Sequence, residues 1–394
     1  MDAPAPAPPD APPSRVPRVW ANVLTAVVSV VLTLAAVEAA VRFALRHSDE
    51  SVSTQYTEAD PARGWRHRPG ARGRFGRAEY LINSRGLRDV EHEPAPASGE
   101  TRVLILGDSF AEGFSVALED GVARVLERDL RRAGYPTEVI NGGTVGYSTD
   151  QEYLFYRDEG AAYAPRMVVL LFYYNDIIYN ARGAVPGGVA KPLFTFTGGT
   201  ARVKNYPLPP PPAARAARPW RGSAALTFFR ERLRDGAPAA YDALAGEVPI
   251  EMQVYDREPP EPVVQAWLQT EHLLSLLQRE VAAHGAQLVA AYVPSKMETS
   301  RADWERTRRR YRIDESLWDR GLVARRLETA GHRLGIPVLD LTDALWAEQG
   351  RAYFAQGGHW NARGHAVAAQ EIARFLEERT RLGCGAPPAP GGGP

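Results

Sequence analysis

The chain has almost no cysteine and no excess of charge of either sign. A single cysteine, Cys384, in 394 residues excludes an intrachain disulfide framework and a thiolate metal cluster. Cys384 lies in a Gly/Pro-rich tail, where a nucleophile would be poorly positioned. The 47 Lys+Arg against 47 Asp+Glu give a formal net charge of zero. That balance argues against a nucleic-acid binder, which needs a basic excess to neutralise phosphates. What is present is ordinary globular usage. With 44% apolar and 24% charged residues, a sizeable core fits one large domain or two small ones.

The 32 prolines are unevenly placed and map the organisation. Seven fall in the first 17 residues, a composition unable to bury enough apolar surface to order itself, so residues 1–18 read as a disordered tail. Val19 to Val37 then run 19 residues without a charge, about the length of a helix that crosses a bilayer. The rival readings are a buried core helix and a cleaved signal peptide. The run is longer than the roughly 7–15 residues of a signal h-region, and Val37-Glu38-Ala39 is a poor cleavage pattern, so an uncleaved anchor over 19–45 is favoured. Charge leaves its orientation tied, Arg15 and Arg18 facing Arg42 and Arg46. Residues 46–100 read as an Arg-rich stalk and lead-in: six arginines and no acid lie between Arg63 and Arg77, either as a solvated segment or as a contact for anionic headgroups or a polyanionic glycan.

From residue 101 onward apolar runs alternate with helical periodicity. Strands are expected at Arg102–Leu106, Thr137–Ile140, Met167–Phe172, Gln287–Val293 and Ile336–Leu339. Helices are expected around Val122–Leu130, over Val263–Ala283, near Leu317–Leu334, and after Asn361, a good N-cap residue. Such alternation implies an α/β fold in three α/β/α layers with a five-stranded parallel sheet, whose active site lies at the C-terminal strand ends. Prolines between about Ala181 and Pro262 mark an insertion at 181–262 in a domain spanning 101–380; residues 381–394 form a second tail.

Four segments sit at these strand ends. Gly107-Asp-Ser-Phe110 follows the first and exposes a serine hydroxyl on a strand-to-helix turn. Asn141-Gly-Gly-Thr-Val-Gly146 follows the second, where glycine backbone approaches a ligand closely. Tyr173-Tyr-Asn-Asp176 follows the third and offers the Asn175 amide as a donor. Gly358-His-Trp-Asn-Ala-Arg-Gly-His365 precedes the last helix, where a histidine can serve as base to Ser109. Taken singly, each reads equally well as an N-cap or a turn. The spacing of His359 and His365, straddling a helix start with no acidic partner, speaks against a metal site.

The ordered set Ser109, Gly146, Asn175, His359 resembles the quartet of the SGNH (GDSL-type) hydrolase superfamily, over roughly residues 60–378. Asn83-Ser-Arg-Gly-Leu-Arg-Asp89 and Gly146-Tyr-Ser-Thr-Asp-Gln-Glu152 are similar to those of a bacterial subgroup with one N-terminal membrane helix and a domain outside the cytoplasm. The resemblance implies Ser109 as nucleophile and His359 as base. It implies an oxyanion hole from the Ser109 and Gly146 N–H groups and the Asn175 side chain, a structural His365 in the last helix, and no cofactor or metal. It also exposes a departure. Members place an Asp two or three residues before the histidine, whereas here Gly357 and Gln356 stand there. Gln356 or a backbone carbonyl then orients His359, or a distant acid such as Asp343 does, or the site is weak.

The leading expectation is a membrane-anchored extracytoplasmic serine esterase acting on small acyl esters, such as O-acetyl groups on glycans, by hydrolysis or transfer. Trp360, Tyr173 and Tyr174 near the site suit sugars. The alternative is a catalytically weak or inactive module that binds a glycan or a partner. Nucleic acid is not an expected partner.

Overall fold

The structure, a computed structural model, describes residues 16–46, 56–75, 78–185, 188–198, 200–209, 225, 247–355 and 357–380. The chain divides into two units, residues 1–50 with 216–241, and residues 51–215 with 242–394. In the first unit, α1 (Val16–Arg46) contains the apolar window Asn22–Val41, with a mean hydropathy of 2.2 and none of it buried. By length and composition this helix can cross a membrane.

The second unit begins with two short hairpins, β1 (Thr57–Asp60) with β2 (Gly64–His67) and β3 (Arg72–Phe75) with β4 (Ala78–Leu81). There follow β5 (Thr101–Gly107), α2 (Ser109–Glu112), α3 (Val122–Arg132), β6 (Thr137–Asn141), α4 (Thr149–Asp158), β7 (Met167–Tyr173) and α5 (Asn175–Asn180). A hairpin of β8 (Phe194–Thr197) and β9 (Thr200–Val203) lies in the insertion. The rest is α6 (Glu261–Ala283), β10 (Gln287–Val293), α7 (Lys296–Thr299), α8 (Arg301–Tyr311), α9 (Leu322–Leu334), β11 (Val338–Asp340), α10 (Thr342–Trp346) and α11 (Ala362–Arg379).

Five strands form one parallel sheet in the order β11-β10-β7-β5-β6. Counted by position in the sheet this is the doubly wound 2-1-3-4-5 arrangement. Alternate residues of each strand feed opposite cores. Leu104, Leu106, Val168, Leu170 and Phe172 pack with α4, α6 and α9, while Val103, Ile105, Val169 and Leu171 pack with α3 and α11. Burial on both faces explains why the strands read as unbroken apolar runs. The fifth strand is shorter and later than expected, and α9 starts at Leu322 rather than near Leu317. Asn361 caps α11 as expected, its side chain accepting from the Arg363 and Gly364 N–H groups.

Residues 56–100 correct the expectation of a stalk. Arg63 is buried because Asp60 and Glu159 meet its charge at 2.8 and 2.5 Å. Asp89 accepts from the Asn141 N–H at 2.7 Å, so this segment is built into the domain. The described part of the insertion is tied down as well. The fully buried Lys191 ammonium donates to both Asp150 carboxylate oxygens at 2.8 Å, to Ser148 Oγ at 2.6 Å and to the Tyr179 carbonyl at 2.8 Å. Removing one member of such a pair strands a buried charge, at a cost of about 3–5 kcal/mol. Lys191→Met is therefore expected to lower the unfolding free energy by about that amount, and Lys191→Met with Asp150→Asn to recover at least half of it. Chemical denaturation of the full chain in detergent measures both.

Candidate active site

Ser109 opens the four-residue helix α2, directly after β5. Gly107 has φ +150°, and a Cβ there would lie 2.9 Å from the Ala111 Cβ and 3.1 Å from the Leu171 carbonyl oxygen, so only glycine permits so sharp a turn. Asp108 accepts from the Phe110 N–H at 2.9 Å and caps the helix. After β6, a Cβ at Gly143 would lie 2.4 Å from the Glu112 nitrogen, so the glycine block and the serine turn touch backbone to backbone.

Ser109 and His359 come together. Ser109 Oγ and His359 Nε2 are 2.9 Å apart across 250 residues of sequence. The imidazole packs against Phe110 and Phe114, at centroid distances of 5.3 and 4.9 Å, and the Gly357 backbone beside it favours its protonated form. With Nε2 facing Ser109, Nδ1 is the ring nitrogen left for a backbone acceptor, the arrangement a general base needs. Gly357 and Gly358 reach this geometry with φ +89° and +73°. Gln356 lies outside the described residues. Asp343 sits elsewhere, in a cavity with Trp304 and Trp346.

Gly146, with φ +75°, lies under Trp65, whose ring would be 3.4 Å from a Cβ there. Trp65 Nε1 donates to the Val145 carbonyl at 3.0 Å, and Tyr147 OH to the Trp65 carbonyl at 2.6 Å. Hairpin β1–β2 thus frames the Gly146 loop. Asn175 begins α5 and its Oδ1 is buried without a hydrogen-bond partner. Trp360 corrects another expectation. It is fully buried, edge-on to Phe110 at 4.9 Å, and offers no face to a sugar. His365 is buried against Trp360 at 5.5 Å, and burial, with Arg88 and His359 nearby, pushes its pKa down to about 3.

Residues 261–389 match the family described as SGNH hydrolase-like domain, acetyltransferase AlgX. Similar solved structures include TesA, at 12% identity over 70% of this chain and 98% of that chain, with a TM-score of 0.35. The acetyl xylan esterase AlAXEase stands at 13%, 70%, 99% and 0.38 on the same measures. The psychrotrophic esterase EstA from Pseudoalteromonas sp. stands at 11%, 71%, 97% and 0.36. No curated protein matches in sequence.

Behind the serine turn lies a layer that sequence reasoning missed. Glu112 closes α2, is 1% exposed, accepts from the Val145 N–H and lies 3.2 Å from His67 Nε2. Arg88 donates to the carbonyls of Glu112, Gly113 and Val116 at 2.6–2.8 Å. The Asn83–Asp89 segment was the available signal, though its spacing does not reveal what Arg88 holds. Burial pushes the Glu112 carboxyl up, but His67 and Arg88 outweigh it and the group stays below the usual range.

Burial also lowers the His359 pKa from its ordinary 6.5, while Glu112 and the Gly357 carbonyl partly oppose that fall. A lowered value keeps the imidazole neutral to more acid pH. The acid limb of kcat/KM for an ester substrate is therefore expected below pH 6.5, because a base works only unprotonated. Glu112→Gln removes the charge that favours imidazolium and should move the limb further down. A pH–rate profile of both proteins tests this, and a limb above the ordinary histidine value would contradict it.

Proposed function

We propose that the protein is a membrane-anchored, extracytoplasmic serine esterase that cleaves small acyl esters, including O-acetyl groups on glycans, by hydrolysis or by transfer to another hydroxyl. The observation that carries this reading is the 2.9 Å contact between Ser109 Oγ and His359 Nε2 at the strand ends of a doubly wound sheet. The matched family's description as an acetyltransferase supports keeping transfer beside hydrolysis. The apolar window Asn22–Val41 supports the anchor.

In this reading His359 Nε2 takes the Ser109 proton as Oγ attacks the acyl carbon. The Ser109 and Gly146 N–H groups and the Asn175 amide donate to the oxyanion. Collapse breaks the ester bond, and His359 returns its proton to the leaving alcohol. Water or a sugar hydroxyl, deprotonated by the same imidazole, then releases the acyl group from Ser109.

One observation favours a second reading, that of a weak or inactive binding module: among the described residues no carboxylate is hydrogen-bonded to His359, and the groups that favour its protonation are Glu112 and the Gly357 backbone. Losing the equivalent acid costs about 10⁴ in kcat in a serine protease, largely through the wrong tautomer. A carbonyl acceptor retains the tautomer and lacks only the charge.

The full chain in detergent is expected to hydrolyse p-nitrophenyl acetate and to be labelled by a fluorophosphonate at Ser109. Ser109→Ala should abolish labelling, and His359→Ala should lower kcat/KM by about 10³ or more. Equal rates in all three proteins would leave only the binding module. A Cβ at Gly357 would lie 3.9 Å from His359 Nδ1, so Gly357→Asp brings a carboxylate within reach, and Asp tolerates left-handed backbone better than most residues. Its gain in kcat is expected to stay below about tenfold, since the tautomer is already set. A gain of a hundredfold would show that the carbonyl does not hold the ring.

A further inference from the structure

Beyond the C-terminal ends of β10 and β11 lies a cavity of about 480 Å³, within the roughly 300–1,000 Å³ of small-ligand sites. Three tryptophans line it, Trp304, Trp318 and Trp346, together with Arg320, Thr342 and Asp343. The Arg320 guanidinium lies over Trp304 at 5.2 Å and over Trp346 at 5.5 Å, which fixes its position. It makes no ion pair with a described carboxylate: Asp319 is held by Arg257 and Arg325, and Glu315 accepts from Trp304 Nε1. Trp318 is partly exposed and backed by Tyr255, with centroids 6.3 Å apart. Thr342 Oγ1 is buried and has no partner, while Asp343 is exposed.

We infer that this cavity binds a neutral saccharide. Arg320 already occupies the aromatic faces a cation would seek, and it repels a second positive charge. Asp343, exposed and in no ion pair among the described residues, adds a negative charge to the lining that repels a uronate or a phosphate. A neutral sugar meets neither penalty. Its C–H face packs on an indole ring, its hydroxyls donate to Asp343, and its oxygens accept from Arg320 and from the orphan Thr342 hydroxyl. Helix α7 joins the cavity to the loop ahead of His359. The cavity's inner wall includes Glu298 on α7, and Lys296 of the same helix donates to the Phe354 and Ala355 carbonyls at 3.1 and 3.3 Å, just ahead of His359. An occupant would sit one segment away from the catalytic loop.

This inference does not depend on ester chemistry, so it is tested on full-chain Ser109→Ala in lauryldimethylamine oxide, a detergent without a sugar head group. Tryptophan fluorescence is titrated with cellotriose, xylotriose, mannotriose and triacetylchitotriose, and with the glucosamine and galacturonate trimers as cationic and anionic counterparts. Saturable quenching by at least one neutral trimer is expected. Trp318→Ala and Asp343→Ala, each added to Ser109→Ala, should weaken it tenfold or more with unchanged far-UV circular dichroism. Asp343 is exposed, so its variant keeps the test valid if Trp318→Ala does not fold. Quenching confined to the charged trimers would overturn the neutral assignment. No quenching, or quenching equal in the variants, would overturn the site.

Discussion

One buried carboxylate, Glu112, holds the serine turn in place. It ends the four-residue helix that Ser109 begins, too short to be stable by itself. Its carboxylate accepts from the Val145 N–H, next to Gly146, and lies beside His67 of hairpin β1–β2. Its carbonyl accepts from Arg88. Burying a carboxylate costs several kcal/mol unless other groups replace the lost water. Here they do, and they come from three stretches of sequence. Nucleophile turn, glycine loop and N-terminal hairpin are thereby locked to one another, and the remaining negative charge also favours protonation of His359.

The sheet was legible because its strands are buried on both faces. Runs such as Met167–Phe172 have no polar position to obscure them, and the helices between show plain 3.6-residue periodicity. The hairpins of residues 57–81 were not legible, for a physical reason. Each strand is four residues long, the middle two carry Arg66, Arg72 and Arg74, and a stretch of arginines reads as solvated until its counter-charges are known. Glu159, which meets Arg63, is 96 residues away. Trp360 misled for a similar reason. Sequence places it beside His359 but does not say which way it faces, and Phe110 turns it inward. Ser109 and His359 were found because order along the sheet predicts proximity at the strand ends, whereas Arg88 and Glu112 act from behind that row.

The residue ahead of His359 shows how a carboxylate can be absent without leaving the ring free. Gly357, at one of the two familiar positions, and Gly358 after it are in left-handed backbone, and the Gly357 backbone favours protonation of the ring. A backbone carbonyl that accepts from a ring N–H carries no formal charge. It defines which nitrogen bears the proton yet stabilises imidazolium less than a carboxylate would. Phe110 and Phe114 press the same way, since apolar rings disfavour the charged form. The site is therefore biased toward neutral histidine at rest, ready to accept a proton and less able to retain one.

The acids beneath the site follow a complementary logic. Burial raises the pKa of Asp176 and Glu152 well above the ordinary carboxyl range, and Asp108 rises to about 7. Each of these three is also pushed up by neighbouring carboxylates, so they cannot all ionise together. Asp150 is paired with Lys191, which it binds with both oxygens, and also accepts from Ser148 Oγ and the Gln151 N–H. The consequence lies at the strand ends above. A set of ionised carboxylates below Ser109, Gly146 and Asn175 would oppose negative charge on a ligand oxygen there, and low dielectric would amplify that opposition. Held protonated or paired, the same groups fix backbone, as Asp108 does at Phe110 and Asp176 at Tyr173, without imposing their charge. Burial, which makes them costly to the fold as anions, is what keeps them compatible with a site built to receive an oxyanion.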